Sequence, residues 1–317
     1  MKKALVALLV ILIAVCAWGY KQQSETASTV KTRVVVDDTS KAITIPEKPQ
    51  RVIALNSSNI DLYYGAGGTV IARPNKVTLN KETMAKVENL PTIGEAANPS
   101  IEQIVALKPD LVLGLNMPFN QNLVPILEKA DIPVLLVSLG DYQDTLNRLK
   151  FFGELSGHSE IAQQTIDSLE KKKEEALAKN KNNAKPRTLI LFGTPENYMM
   201  ALPKSFPGGL IELLGAENIA KDEKGMSETL PYASFNIEFV IKANPDIVLL
   251  IVHGEQNSAE KIQQDMAKHT SWQHLKAVQE KRVYVLPFHL FGINPGVQTG
   301  EAIEYLGDIL YNPGGER

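Results

Sequence analysis

Cysteine is nearly absent. A single one, Cys16, in 317 residues excludes a disulfide within the chain and any metal site built from several thiolates. An excess of positive charge is missing too. The formal net charge is −3 and no basic stripe runs along the sequence, which argues against nucleic acid as a partner. Histidines number five. A site for bare Zn²⁺ or Mn²⁺ needs several His and carboxylates converging, and His253 with His289 is thin material for that. Catalytic signatures are lacking as well: there is no G-x-S-x-G, no Walker loop and no recognisable Ser-His-acid spacing. The run Gly65-Ala-Gly67-Gly68 follows a predicted helix rather than a strand, so it reads as a helix stop and not a nucleotide loop.

What is present is a globular composition, 44% apolar and 22% charged, with length for two domains that each have a core. The N-terminus reads as a targeting segment. Lys2-Lys3 gives the positive start and Ala4 to Val15 the apolar core, which is short for a membrane span of about 20 residues. Ile13-Ala14-Val15-Cys16 resembles a lipoprotein signal, although Val15 stands where a small residue is usual. The expectation is a signal peptide over 1–16, lipidation of Cys16, a polar tether over 17–41 and a body on the outer face of the cell membrane.

The rest is organised around Asp144 to about Lys181, which from Ser159 onward reads as one long helix with Ile161, Ile166, Leu169 and Leu177 as an apolar stripe. The flanking stretches echo one another. Arg51-Val-Ile-Ala-Leu matches Arg187-Thr-Leu-Ile-Leu, Ile101-Glu102 matches Ile237-Glu238, and Pro109-Asp110 matches Pro245-Asp246, always 136 residues apart. Strands alternate with helices on both sides, which implies parallel βαβ units. The predicted fold is α/β: two Rossmann-like lobes with parallel sheets, 42–143 and 186–312, joined by a rigid helix within 144–185, with a tail at 313–317 and a cleft between the lobes.

The order of these motifs resembles the substrate-binding proteins of ABC importers, in the class with two lobes and one linking helix that carries iron-siderophores, haem and cobalamin. The resemblance covers roughly Ile45 to Tyr311. It rests on Arg51-Val-Ile-Ala-Leu, Asn98-Pro-Ser-Ile-Glu102 through Leu113, Gly153-Glu-Leu-Ser-Gly157, Gly208 through Asn218, Asn244-Pro-Asp246 and Lys281-Arg-Val-Tyr284. The second lobe is similar to staphylococcal haem-receptor lipoproteins through Gly193-Thr-Pro-Glu-Asn-Tyr198, His253-Gly254, Trp272 to Val278 and Phe291-Gly-Ile-Asn294.

The resemblance implies a receptor, not an enzyme, that captures haem and passes it to an ABC permease dimer. The same machine carrying a ferric siderophore or cobalamin is the alternative. A chelatase-like tetrapyrrole enzyme is the rival of another class, and an export signal argues against it. His253 follows a buried strand, and the carboxyl ends of such strands face the ligand crevice. It matches the His that is an axial haem ligand in those receptors. Their Met ligand has no counterpart in Gly94-Glu-Ala-Ala-Asn98, but Met117 sits 136 residues before His253 and becomes the candidate for the opposing side. Tyr142, Tyr198, Phe206, Phe288, His289 and Phe291 are candidates for the pocket wall. Glu102 and Glu238, each two residues after a polar cap, are expected to dock on the permease. The chain is expected to act as a monomer.

Overall fold

A computed structural model describes residues 31–180, 184–194, 197–223, 230–252, 262, 264, 266 and 268–312. The chain enters through a hairpin, β1 (Thr32–Val36) against β2 (Ala42–Pro46), antiparallel with Val34 opposite Thr44. The hairpin starts inside the stretch expected as tether. Alternating Arg33 and Val35 turn inward while Val34 and Val36 face solvent, the period of two that a half-buried strand shows.

The first lobe is a four-stranded parallel sheet in the order β4 (Val70–Ala72), β3 (Val52–Ala54), β7 (Leu111–Leu115), β8 (Val134–Val137). A two-residue ladder, β5 (Gly94–Glu95) and β6 (Asn98–Pro99), lies beside it. Its strands are almost wholly apolar because helices cover both faces. Val52, Ala54, Leu111 and Leu113 join one core cluster, and Ile53, Leu55, Val112 and Val134 another.

The second lobe is a mixed sheet in the order β12 (Tyr232–Ser234), β10 (Asn197–Ala201), β9 (Arg187–Thr194), β13 (Ile247–Val252), β14 (Val283–Val285), with β11 (Glu217–Asn218) also on β9. β9, β11, β13 and β14 run parallel, whereas β10 is antiparallel to β9, and β12 in turn pairs antiparallel with β10. The stretch Thr194 to Phe206, which reads from sequence as a loop, thus contains a strand; its Tyr and Met residues find partners on β9 and β12.

The repeat has a physical basis. Arg51 N donates to Asp110 Oδ1 at 2.8 Å, and Asp110 N returns a bond to the Arg51 carbonyl at 3.0 Å. In the second lobe Arg187 N donates to Asp246 Oδ2 at 2.8 Å, and Asp246 N returns to the Arg187 carbonyl at 2.7 Å. Each guanidinium covers carbonyls at the end of the helix that leads into the aspartate, Ile101–Ala106 or Ile237–Ala243: Leu107 and Lys108 for Arg51, Ala243 for Arg187. Those orphan carbonyls would otherwise lack donors. Lys108 (φ 45°) and Asn244 (φ 44°), again 136 apart, turn the chain in the left-handed region at the same point.

Helix Tyr142–Ser156 and the linking helix Ser159–Asn180 form a hairpin of helices. Gly157, at φ +78°, makes the reversal, a conformation that glycine adopts without steric cost. The seam of the linking helix is Ala162, Leu169 and Ala176, one residue per heptad. The expected stripe holds at Leu169 and is corrected elsewhere: Ile161 and Leu177 are exposed, Ile166 is only partly buried, and small alanines take the other seam positions. The final helix, Thr299–Tyr311, packs on the same seam farther along, where an added Cβ at Gly300 would lie 3.3 Å from Leu169 Cδ2 and one at Gly307 4.0 Å from the Ala176 Cβ, with Lys172 Nζ 3.2 Å from Glu304 Oε2. One core cluster runs from β3 and β7 through the linking helix to β9, β13 and the final helix, so the lobes share a core instead of swinging on a free linker.

Candidate functional site

Residues that follow the carboxyl ends of β3 and β14, Ser57 with Ser58 and Phe288 with His289, meet where the two lobes approach each other. In open α/β sheets this end is where ligands bind. Behind the gap the lobes are tied by a buried polar seam. Ser58 Oγ donates to the Asn294 carbonyl at 2.5 Å, and Asn294 Nδ2 donates to Thr145 Oγ1 at 2.8 Å. Asp61, on the first helix Ser57–Gly65, accepts from Val297 N (2.9 Å), Asn80 Nδ2 (2.8 Å) and Thr83 Oγ1 (3.1 Å). Burial raises its carboxyl to about 6, although the bonds from Val297, Thr83 and Gln298 pull the other way. Gly296 passes over it at φ +67°, where an added Cβ would stand 2.7 Å from Asp61 Oδ2.

In front of the seam, Ser57, Ser58 and Thr78 of the first lobe meet Phe288, His289 and Ile293 to Pro295 of the second around a cavity of about 30 Å³. That is room for a water, not a ligand, so the residues mark the inner wall of the cleft. Beside Phe288 stand two more rings. The Phe192 centroid is 5.1 Å from Tyr232 and 6.4 Å from Phe288, with planes inclined by 37° and 34°. All three rings are half-buried; Phe192 lies near the carboxyl end of β9, Phe288 just beyond β14, and Tyr232 at the start of β12. Burial pushes the Tyr232 phenol up to about 12, so it stays neutral. Together they form an uncharged aromatic wall.

Of the expected wall residues, the structure brings Phe288 and the exposed His289 to this place. Tyr142, Phe206 and Phe291 instead belong to the core, at 6%, 4% and 0% exposure. Tyr142 and Phe206 begin helices whose first turns pack against the linking helix and sheet, and the Tyr142 hydroxyl bonds Glu170 Oε1 at 3.0 Å. Phe291 lies against Tyr305 of the final helix. Tyr198 is on the far face of the second sheet, edge-on to Phe235, which stacks on Trp272. Met117, 45% exposed, stands at the carboxyl end of β7, just before the short helix Pro118–Gln121. His253 and Cys16 lie outside the described residues.

Phe192 and Tyr232 escaped the sequence reading. Phe192 carries the signal that could have found it, a large ring at the last apolar position of a buried strand. Tyr232 carries none, because the strand it sits on is visible only through its pairing with β10.

Glu102 and Glu238 are both exposed, in the first turns of helices Ile101–Ala106 and Ile237–Ala243, with Ser100 and Asn236 as N-caps. Three residues on, and therefore on the same helix face, stand Val105 and Ile241, 38% and 41% exposed. Each lobe thus presents one carboxylate and one apolar side chain in the same arrangement.

A groove of about 470 Å³ lies elsewhere, at the end of the first helix, between Tyr64, Gly65 to Thr69, Lys86 and Thr165. Among the described residues no three His, Cys, Asp or Glu side chains converge on a metal position, and no helix is long and apolar enough to cross a membrane.

Comparison with known proteins places these features. A periplasmic binding protein family model matches residues 52–290. The high-affinity heme uptake system protein IsdE of Staphylococcus aureus (strain MRSA252) is 30% identical over 246 residues, 74% of this chain and 80% of that protein. The crystal structure of S. aureus IsdE complexed with heme aligns at a TM-score of 0.71 and 24% identity, over 82% of this chain and 98% of that one. An ABC transporter substrate-binding protein from Listeria monocytogenes EGD-e aligns at 0.73 and 25% identity, over 84% and 99%. S. aureus SirA complexed with staphyloferrin B aligns at 0.72 and 17% identity, over 88% and 98%, a likeness of fold alone.

Proposed function

The chain belongs to the periplasmic binding protein family, and on that premise we propose that it is the extracytoplasmic receptor of an ABC importer, capturing haem between its lobes and delivering it to a permease dimer. It is a binding protein of transport, not an enzyme, like its relatives. The observation that carries haem as the ligand is the aromatic wall of Phe192, Tyr232 and Phe288. A flat macrocycle gains most from rings it can lie against.

The arginines support the same choice. An anionic ferric siderophore needs guanidinium partners, which bind carboxylate and catecholate oxygens in pairs. Among the described residues each Arg is engaged elsewhere: Arg33 with Glu154, Arg51 and Arg187 with helix-end carbonyls, Arg148 with Asp38, and Arg282 with the Leu310 carbonyl. Arg73 stands at the end of β4, yet it donates to the carbonyls of Val87, Pro74, Asn75 and Glu88.

His253 is the proposed axial iron ligand. Imidazole suits haem iron, and the residue follows directly on β13. Met117 is the proposed opposing ligand, at the matching place after β7 and free to reach inward. A lipid on Cys16 would hold the receptor at the outer face of the membrane, and Glu102 and Glu238 would meet cations on the two permease subunits. The test is a titration of the purified protein with haemin, a ferric siderophore and cobalamin in parallel. Submicromolar binding of haemin alone is the expected result; preference for the siderophore would overturn the haem assignment while leaving the receptor class intact.

A further inference from the structure

The turn of the N-terminal hairpin is not a passive end of the tether. It is rigid in itself: Asp37 Oδ1 accepts from Thr39 N (2.9 Å), Thr39 Oγ1 (2.6 Å) and Lys41 N (3.0 Å), and Asp37 is buried. The next residue, Asp38, reaches three ways into the ligand-facing rim of the first lobe. Its N–H donates to the Leu136 carbonyl at 3.1 Å. Its carbonyl accepts from Asn116 Nδ2 at 2.9 Å. Its Oδ2 accepts from Ser138 N at 2.5 Å and from Arg148 Nη2 at 2.8 Å.

Asn116 and Ser138 directly follow β7 and β8, so one side chain and its own peptide groups fasten both strand ends together. Asn116 passes the constraint on. Its N–H donates to the Val137 carbonyl at 2.8 Å, its Oδ1 accepts from Gln121 Nε2 at 2.8 Å, and Met117 follows it in the chain. Arg148 is largely covered, lies over the Phe151 ring, and would be left with an uncompensated charge without Asp38.

We propose that Asp38 is the positioning residue of the cleft rim: through Asn116, Ser138 and Arg148 it fixes the Asn116–Met117 corner before any ligand arrives. A corner already ordered loses less freedom on binding, and that difference is read mainly in the dissociation rate. The part of this inference that concerns the ligand rests on the haem reading above; the part that concerns the corner does not.

The experiment compares wild type, Asp38→Ala and Asp38→Asn. Amide hydrogen exchange in the ligand-free protein reads the corner, and stopped-flow haemin dissociation reads the ligand. Asp38→Ala should speed exchange across residues 115–121 and at Ser138 about tenfold or more, as expected when the charge-assisted bonds from Ser138 N and Arg148 are lost, and leave β13 protected. Haemin should leave it about tenfold faster. Asp38→Asn keeps an acceptor oxygen and should restore most of the protection. Unchanged exchange over 115–121 in Asp38→Ala would overturn the proposal, and so would a freed corner with unaltered haemin dissociation. A wild type that ignores haemin while Asp38→Ala still frees the corner would sink the haem reading and support the positioning role of Asp38.

Discussion

Replacing Asp61 by Asn removes a charge buried where the first helix, the Asn80–Thr83 segment and the Gly296–Gln298 turn meet. Burial raises this carboxyl from 3.8 to about 6. The folded state therefore holds the proton more tightly than the unfolded chain. At about 1.36 kcal/mol per pH unit, the linkage amounts to about 3 kcal/mol. The stabilisation from the bound proton is complete below pH 3.8 and is lost as the pH rises through about 6. Carboxylates elsewhere titrate in the opposite sense: Glu82 beside Lys86 and Glu170 beside Lys173 are held low by those ammonium groups. The contribution of Glu170 is common to both proteins and cancels in the difference, while the charge of Glu82 is one of the lesser causes of the Asp61 shift itself. Urea denaturation of wild type and Asp61→Asn at pH 4, 5, 6 and 7 isolates the effect. The stability of wild type relative to the variant should fall by about 2 to 3 kcal/mol from pH 4 to pH 7. A difference that is flat with pH, or that grows toward pH 7, would refute the argument that burial outweighs the hydrogen bonds at this carboxyl.

The aromatic wall predicts that Phe288→Ala, at a half-buried ring, weakens haemin binding about tenfold with little loss of fold, measured by fluorescence titration. Charge reversal at both proposed docking positions, Glu102→Arg with Glu238→Arg, should abolish uptake into vesicles carrying the permease and leave haemin affinity unchanged; loss of affinity instead would put these residues in the cleft. The shared core along the linking helix predicts little change in radius of gyration when ligand binds, and a large compaction in small-angle scattering would contradict it.

The repeat was legible because its causes are local. The Arg51–Asp110 and Arg187–Asp246 pairs, the helix caps and the turns at Lys108 and Asn244 each need a fixed residue at a fixed place, so they leave the same spacing in both lobes. The long helix was legible from its uninterrupted helix formers, but of its buried side only Leu169 was. Ala162 and Ala176 look neutral in a sequence, and only the close approach of Gly153, whose added Cβ would lie 2.5 Å from the Ala162 Cβ, shows why small residues face the neighbour. Wall candidates chosen by residue type fared unevenly for a related reason. Phe291 and Phe288 are three residues apart on one short helix, yet one ring packs on Tyr305 and the other lies at the cleft. Which of them packs inward is decided by Tyr305 of the final helix, a contact far away in sequence. β10 and β12 bring Tyr232 to Phe192, and neither strand carries a signal strong enough to stand without its partner.

The central claim is that haem iron is held in the interlobe cleft by a side chain that follows β13. The absorption spectrum of the haemin-loaded protein tests it most directly, with His253→Ala beside wild type. The account predicts a sharp Soret band in wild type, and its shift or loss in the variant while circular dichroism and the urea midpoint stay as they were. An identical Soret band and identical haemin affinity in His253→Ala would contradict it.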